Sequence, residues 1–121
     1  MPRVIHFELP ADEPERAVRF YEMVFGWKIS KWDGPMDYWL VMTGEEGAPG
    51  IDGAISPRDA GATVTYVIDV PSADEYVGKV LSAGGTVVLP KHEVPGVGYL
   101  AYCTDTEGNI FGIMQDLPRP E

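Results

Sequence analysis

Two titratable residues near the amino terminus share one face of a predicted strand. From Arg3 to Leu9, apolar side chains alternate with others, which is the period of a β-strand. His6 and Glu8 are two positions apart, so both point the same way, about 6.5 to 7 Å apart along the strand. Such a pair can transfer protons, can be the remnant of a metal site, or can be a structural histidine beside a carboxylate. We take His6 and Glu8 as the candidate catalytic residues.

Aromatic side chains are concentrated in the first third of the chain, at Trp27, Trp32, Tyr38 and Trp39. Flat rings that line a cleft suit a planar or apolar small molecule. The alternative is that these rings fill the core or a dimer interface, and we expect this for Trp39, which lies in an apolar run. Trp27 and Tyr38 are the candidate ligand-binding residues of this group.

A second group of candidates lies in a stretch bounded by proline and glycine, residues 90–99, with the sequence PKHEVPGVGY. We predict a loop here, because proline and glycine bound the stretch. His92 and Tyr99 are its candidate ligand-binding residues. The alternative for His92 is an exposed side chain that is merely solvated.

Two further polar features are expected to be structural. Cys103 is the chain's single cysteine, so it cannot form an internal disulfide, and its place in an apolar run predicts a buried side chain. The segment Glu107-Gly108-Asn109 is typical of a tight turn, because glycine and asparagine tolerate positive φ.

The composition bounds the function. The chain has 121 residues, 45% of them hydrophobic, which suits one domain spanning 1–121. Its formal charge of −10 at pH 7 repels phosphate backbones and anionic lipids, so we expect no nucleic-acid or membrane partner. The apolar runs are far shorter than the about 20 residues that cross a bilayer, and no leader opens the chain. We expect a cytoplasmic protein.

The periodicity of the first half predicts one helix among four strands. Asp12 is the expected N-cap of the helix, with Glu15 at the capping-box position, and Gly26 ends it. The predicted order is βαβββ within module one, residues 1–56. The predicted elements are strands at 3–9, 27–30, 37–43 and 50–56 and a helix at 12–25.

The same order returns after a linker at 57–62. In module two, residues 63–117, Ser72 is the expected N-cap of the helix and Glu75 stands at the capping-box position. Gly84 and Gly85 end that helix. The remaining predicted strands are 63–70, 86–89, 99–104 and 110–115. Two βαβββ modules in tandem give an α+β fold.

The chain resembles the vicinal oxygen chelate superfamily, which includes glyoxalases, bleomycin-resistance proteins and extradiol dioxygenases. The likeness rests on the duplication, on His6, on RAVRFY before VFGW in the first helix, and on DTEGN before the last strand. The strings HFE, GIDG and PGVG are similar to an uncharacterised bacterial glyoxalase-like branch. This resemblance implies two half-barrel-like sheets around a cleft that holds the site.

The resemblance also implies four metal-ligand positions, which fall on His6, Gly53, Thr65 and Gly112 in this chain. The spacing from His6 to Gly53 equals that from Thr65 to Gly112. Glycine offers no ligand and threonine is a poor one, so we expect no metal and no other cofactor. The metal-dependent glyoxalase reaction and iron-dependent ring cleavage are therefore disfavoured.

Two functions remain from different classes. The first is a metal-independent lyase or isomerase that acts on a small carbonyl compound, with His6 or Glu8 as the base. The second is a non-catalytic protein that binds an antibiotic or a metabolite in an aromatic cleft. In both cases the partner is a small molecule, and the resemblance together with open strand edges implies a homodimer.

Overall fold

The computed structural model describes residues 2–59 and 62–117, so positions 60 and 61 of the predicted linker lie outside the described residues. It confirms the α+β class. The order of elements is β1 (Arg3–Ala11), α1 (Pro14–Phe25), β2 (Lys28–Lys31), β3 (Trp39–Met42), β4 (Asp52–Pro57), β5 (Thr65–Asp69), α2 (Ala73–Ser82), β6 (Thr86–Val94), β7 (Gly98–Thr104) and β8 (Ile110–Asp116).

Two compact units divide the described chain. We call residues His6–Thr65 the amino-terminal unit, and the described residues before His6 and after Thr65 the carboxy-terminal unit. Strand β1 contributes residues to both. Among the described residues, no helix is long and apolar enough to cross a membrane.

In the amino-terminal unit, the strands lie in the order β2-β3-β4-β1. β1 and β4 are parallel, whereas β4 with β3 and β3 with β2 are antiparallel. Helix α1 packs Ala17, Val18 and Tyr21 against one face of this sheet, whose buried centre is Val41 and Ile55. The opposite face carries no helix of this unit and is the face on which the site is built.

Helix α1 begins two residues later than predicted. Its N-cap is Glu13, which makes no side-chain capping bond, and Pro14 opens the helix. Asp12 is not the cap, because its Oδ1 accepts a hydrogen bond from Arg58 Nε at 3.0 Å and so ties the end of β1 to the end of β4. The predicted end is confirmed: Gly26 has φ 71°, a left-handed conformation that glycine adopts without steric cost.

In the carboxy-terminal unit, the strands lie in the order β5-β8-β7-β6, with β5 and β8 parallel and the others antiparallel. Helix α2 packs Tyr76, Val77 and Val80 against a core that includes Cys103 and Ile113. The predicted cap is confirmed, since Ser72 Oγ accepts from the amide of Glu75 at 3.2 Å.

The predicted loop at 90–99 is wrong. Strand β6 continues through it to Val94 and pairs with β7, and only residues 95–97 form the connecting turn. A proline within the strand, Pro90, misled the prediction. β6 is the last strand in the order, so one of its edges is unpaired. Pro90 has no backbone N–H to donate, and on such an edge strand no hydrogen bond to a neighbouring strand need be lost.

Candidate functional site

The pleat of β1 separates two sets of side chains. Phe7 and Leu9 pack with the α1 cluster, so His6 and Glu8 lie together on the face opposite α1. The parallel register with β4 pairs His6 with Asp52 and Glu8 with Ala54. Both His6 and Glu8 are half-buried, so each side chain is partly shielded from water but still accessible to solvent.

Tyr38, which was predicted separately as a ligand-binding residue, completes a cluster with His6 and Glu8. It directly precedes β3 and shares a face with Leu40, which pairs with Ala54. Its hydroxyl donates to Glu8 Oε2 at 2.9 Å and lies 3.5 Å from His6 Nε2. Since β4 lies between β3 and β1, the Tyr38 side chain must pass over β4 to make these contacts.

Burial sets the protonation of the cluster. Removal from water lowers the pKa of His6 below 6.5, and the charges of Glu8 and Asp52 oppose this shift only in part. For Tyr38, burial together with the charge and hydrogen bond of Glu8 raises the pKa well above its ordinary value. Near pH 7 the cluster therefore contains a neutral imidazole and a protonated phenol.

Asp52 is a neighbour of His6 that the sequence analysis missed. The resemblance placed Gly53 at the position that should accompany His6, but Gly53 pairs with Phe7 and shares its face. A Cβ at Gly53 would overlap the ring and carbonyl of Phe7, which explains the glycine. Asp52 instead stands beside His6, and its Oδ1 accepts from the Thr43 amide at 2.9 Å.

Trp27 lies apart from this cluster. Its ring stacks on Tyr21 of α1 with a centroid distance of 4.9 Å and an interplanar angle of 4°, and it also contacts Phe7. It therefore belongs to the α1 side of the sheet. Trp39 packs with Trp27 in the apolar cluster beneath α1, as its apolar surroundings predicted.

His92 and Tyr99 lie on the β6–β7 hairpin of the carboxy-terminal unit. His92 is exposed, and its Nδ1 lies 3.2 Å from the carbonyl oxygen of Pro90. Tyr99 is half-buried beneath Lys91, whose Nζ lies 5.2 Å from the ring centroid and 2.9 Å from Asp74 Oδ2. The structure does not group them with the Tyr38 cluster, and their ligand-binding role stays a prediction.

The side chains at the predicted metal positions do not fit a divalent ion. Thr65 donates its hydroxyl to the carbonyl of Thr63 at 3.0 Å. A Cβ at Gly112 would lie 3.2 to 3.4 Å from Val67, Tyr102 and Leu100, so apolar side chains already surround that position. Within residues 2–59 and 62–117, no three His, Cys, Asp or Glu side chains are placed to hold a metal.

Cys103 and the turn at residues 107–109, which were expected to be structural, lie in the core and in a tight turn, respectively. Cys103 is buried, and burial raises the pKa of its thiol, which disfavours the reactive thiolate. In the turn before β8, the Asp105 carboxylate accepts from the amides of Glu107 and Asn109, and Gly108 has φ 83°. The Asn109 side-chain amide also donates to Asp105 Oδ2, and this bond, followed by those from the two backbone amides, lowers the pKa of Asp105.

Comparison with known proteins supports the resemblance inferred from the sequence. The model of the Glyoxalase/Bleomycin resistance protein/Dioxygenase superfamily matches residues 3–113. The "Putative glyoxylase CFP32" of Mycobacterium bovis is 29% identical over 118 residues, covering 93% of this chain. The match takes in 43% of that relative, so the chain spans less than half of its length.

Solved structures share the fold at low identity. A hypothetical protein from Bacillus halodurans aligns with a TM-score of 0.73 and 11% identity, covering 99% of this chain and 98% of its own. The methylmalonyl-CoA epimerase of Mycobacterium tuberculosis aligns with a TM-score of 0.70 and 12% identity, covering 95% of this chain and 88% of its own. At these identities, the likeness defines the fold.

Proposed function

Because the chain belongs to the Glyoxalase/Bleomycin resistance protein/Dioxygenase superfamily, we propose that it is a lyase or isomerase that transfers a proton at the carbon next to a carbonyl group, without a metal. The observation that carries this proposal is the Tyr38 hydroxyl, which lies within reach of both His6 and Glu8. A base and a proton donor are then within hydrogen-bond distance of each other.

The proposed reaction uses groups that the cluster contains. Neutral His6, or Glu8, removes the proton from the carbon beside the carbonyl, and the C–H electron pair moves into an enolate. Tyr38 donates its hydroxyl proton or a hydrogen bond to the developing oxyanion. An isomerase returns a proton to carbon, whereas a lyase expels a leaving group from the neighbouring carbon. Both outcomes balance without an oxidant or reductant.

The metal-dependent reactions of the family are not part of this proposal. They require several imidazole and carboxylate ligands around one ion, and within the described residues no three His, Cys, Asp or Glu side chains are placed to hold one. The fold-level likeness to an epimerase is compatible with proton transfer at carbon. It does not identify the substrate.

The experiment is a search for solvent deuterium incorporation into a panel of small aldehydes, ketones and hydroxyketones, followed by NMR in D2O. We expect at least one compound to exchange its α-proton faster with the protein than with buffer. The variants His6→Gln and Glu8→Gln should slow this exchange. Exchange that both variants leave unchanged, or no exchange with any compound, would contradict the proposal.

The second candidate is a protein that binds an antibiotic or a metabolite without transforming it. It is favoured by Leu40 and Met42, whose side chains are 40% and 51% exposed on the face that carries Tyr38. Exposed apolar side chains beside a polar cluster suit an amphiphilic ligand. Saturable binding of a compound that shows neither exchange nor turnover would support this candidate over the enzyme.

We also propose that the protein acts in the cytoplasm as a homodimer. Helix α1 exposes Phe20, Met23 and Val24 in a strip, with Met23 85% exposed, and Arg19 and Glu22 lie along one side of this strip. One basic and one acidic residue beside an apolar strip can pair with their counterparts across a twofold axis. Sedimentation equilibrium at micromolar concentration should give a dimer, and Met23→Glu should give a monomer. A monomeric wild type would contradict this proposal.

A further inference from the structure

The position of the Tyr38 hydroxyl depends on the loop that precedes β3. The last paired residues of the β2–β3 hairpin are Lys31 and Trp39. The amide of Trp32 donates to the carbonyl of Tyr38 at 2.7 Å, which extends the pairing by one position. Trp32 and Tyr38 are therefore cross-strand neighbours at the base of a short loop, residues 33–37.

The Trp32 ring is close to both the Tyr38 ring and the loop backbone at Gly34. It meets the Tyr38 ring edge-on, with centroids 6.0 Å apart and an interplanar angle of 69°. Gly34 also lies against this ring, because a Cβ there would overlap the six-membered ring of Trp32. An ion pair between Lys31 and Asp37 at 3.3 Å joins the two ends of the loop.

Tyr38 needs such support because its hydroxyl acts far from its own strand. The side chain reaches from the start of β3 over β4 to Glu8 on β1. A small rotation about its side-chain bonds would carry the hydroxyl out of hydrogen-bond range of Glu8 and His6. Displacement of a reacting group by 1 Å can cost about 100-fold in rate.

We propose that Trp32 is a positioning residue, which holds the Tyr38 hydroxyl over Glu8 and His6, and that residue 34 is glycine to admit the Trp32 ring. The catalytic consequence rests on the proposed function, whereas the structural arrangement does not. Trp32 itself has no role in proton transfer. Its effect passes through the orientation of Tyr38.

The test compares two glycines in the same unit. Gly34→Ala displaces the Trp32 ring, whereas Gly44→Ala is the matched control, because a Cβ at Gly44 would meet no atom within 4 Å and its φ lies outside the left-handed region. The first readout is the 13Cζ resonance of Tyr38 in tyrosine-labelled protein, assigned by its loss in Tyr38→Phe. This resonance reports the hydrogen bonding of the hydroxyl whether or not a substrate is known.

We expect Gly34→Ala to shift the Tyr38 resonance and Gly44→Ala to leave it unchanged. Trp32→Leu should shift it in the same direction, and Trp32→Phe should restore most of the wild-type value, because a phenyl ring retains the edge contact. With a substrate found by deuterium exchange, Gly34→Ala and Trp32→Leu should lower kcat about 10-fold or more while KM changes little.

An unmoved Tyr38 resonance in folded Gly34→Ala and Trp32→Leu would overturn the inference, as would an equal shift in Gly44→Ala. If one of these variants does not fold, the other together with Trp32→Phe still decides the question. Failure to find a substrate would count against the proposed function alone, because the resonance is measured without one. A shifted resonance with an unchanged kcat would overturn the positioning role.

Discussion

The same arrangement of strands carries different side chains in the two units. In the amino-terminal unit, the face opposite α1 presents His6, Glu8 and Asp52 from the parallel pair β1 and β4. In the carboxy-terminal unit, the equivalent parallel pair presents Val67 beside Gly112 on the face opposite α2. The pairing of the strands is thus repeated while the side chains at the paired positions differ, so under the proposed function the chemistry depends on a few side chains of one unit.

The comparison is tested most strongly by the two histidines of the chain. His6→Gln removes the neutral imidazole from the Tyr38 cluster and should lower the rate of α-proton exchange by about 100- to 10,000-fold. His92→Gln makes the same chemical change on the exposed hairpin of the other unit and should leave the rate at saturating substrate unchanged, because the role predicted for His92 is ligand binding and not proton transfer. The measurement is deuterium incorporation by NMR. Equal losses in both variants would remove the distinction between the units.

A pair of tyrosines gives the next largest effect. Tyr38→Phe keeps the ring but removes the hydroxyl that contacts Glu8 and His6, and it should reduce kcat about 100-fold. Tyr99→Phe, its counterpart in the carboxy-terminal unit, should retain wild-type kcat. Steady-state kinetics on the same substrate supply the check. If Tyr99→Phe alone reduced kcat, the active residues would have to be sought on the hairpin.

The two helices differ in how their first turns are capped, so removal of the two N-cap side chains should change the free energy of unfolding by different amounts. Ser72→Ala removes the hydrogen bond to the Glu75 amide and should lower the free energy of unfolding by about 1 kcal/mol.

Glu13→Ala should cost less, about 0.5 kcal/mol or below, because Glu13 makes no capping bond and only an exposed ion pair with Arg16. Urea denaturation followed by circular dichroism measures both values. A larger loss for Glu13→Ala would show that the cap at α1 matters more than its geometry indicates.

The smallest expected effect is a pH dependence that arises from His6. Its pKa is lowered in the folded protein, so between that value and 6.5 the unfolded chain binds more protons. Stability should therefore fall as the pH drops below about 6.5, and His6→Gln should flatten this slope. Urea midpoints between pH 5 and 8 provide the measurement. A slope that becomes steeper in His6→Gln than in the wild type would show that His6 is protonated more easily in the fold.

Much of the fold could be predicted from local patterns. Ser72 with Glu75 signals a cap within four residues, and Gly26 marks a helix end by its own conformational freedom. Asp12 fits the same capping pattern, but its carboxylate accepts a hydrogen bond from Arg58, which is distant in sequence, and does not cap the helix. The length of β6 could not be predicted either, since Pro90 looks like a break and its place on an edge strand is a tertiary fact.

The candidate site was predictable only along single strands. Alternation places His6 and Glu8 on one face, and this needs no knowledge of other strands. The contact of Tyr38 with both depends on the order β3-β4-β1, and the pairing of Asp52 with His6 depends on register. A one-residue change of register exchanges the faces, and this is why Gly53 was placed beside His6 instead of Asp52.

Deuterium exchange before and after exhaustive treatment of untagged protein with a chelator tests the central claim most directly. We predict that the α-proton exchange rate is the same in both preparations and that elemental analysis finds less than one transition ion per ten chains. Loss of exchange on chelation, with recovery when a single divalent ion is returned, would contradict a metal-free reaction at His6, Glu8 and Tyr38.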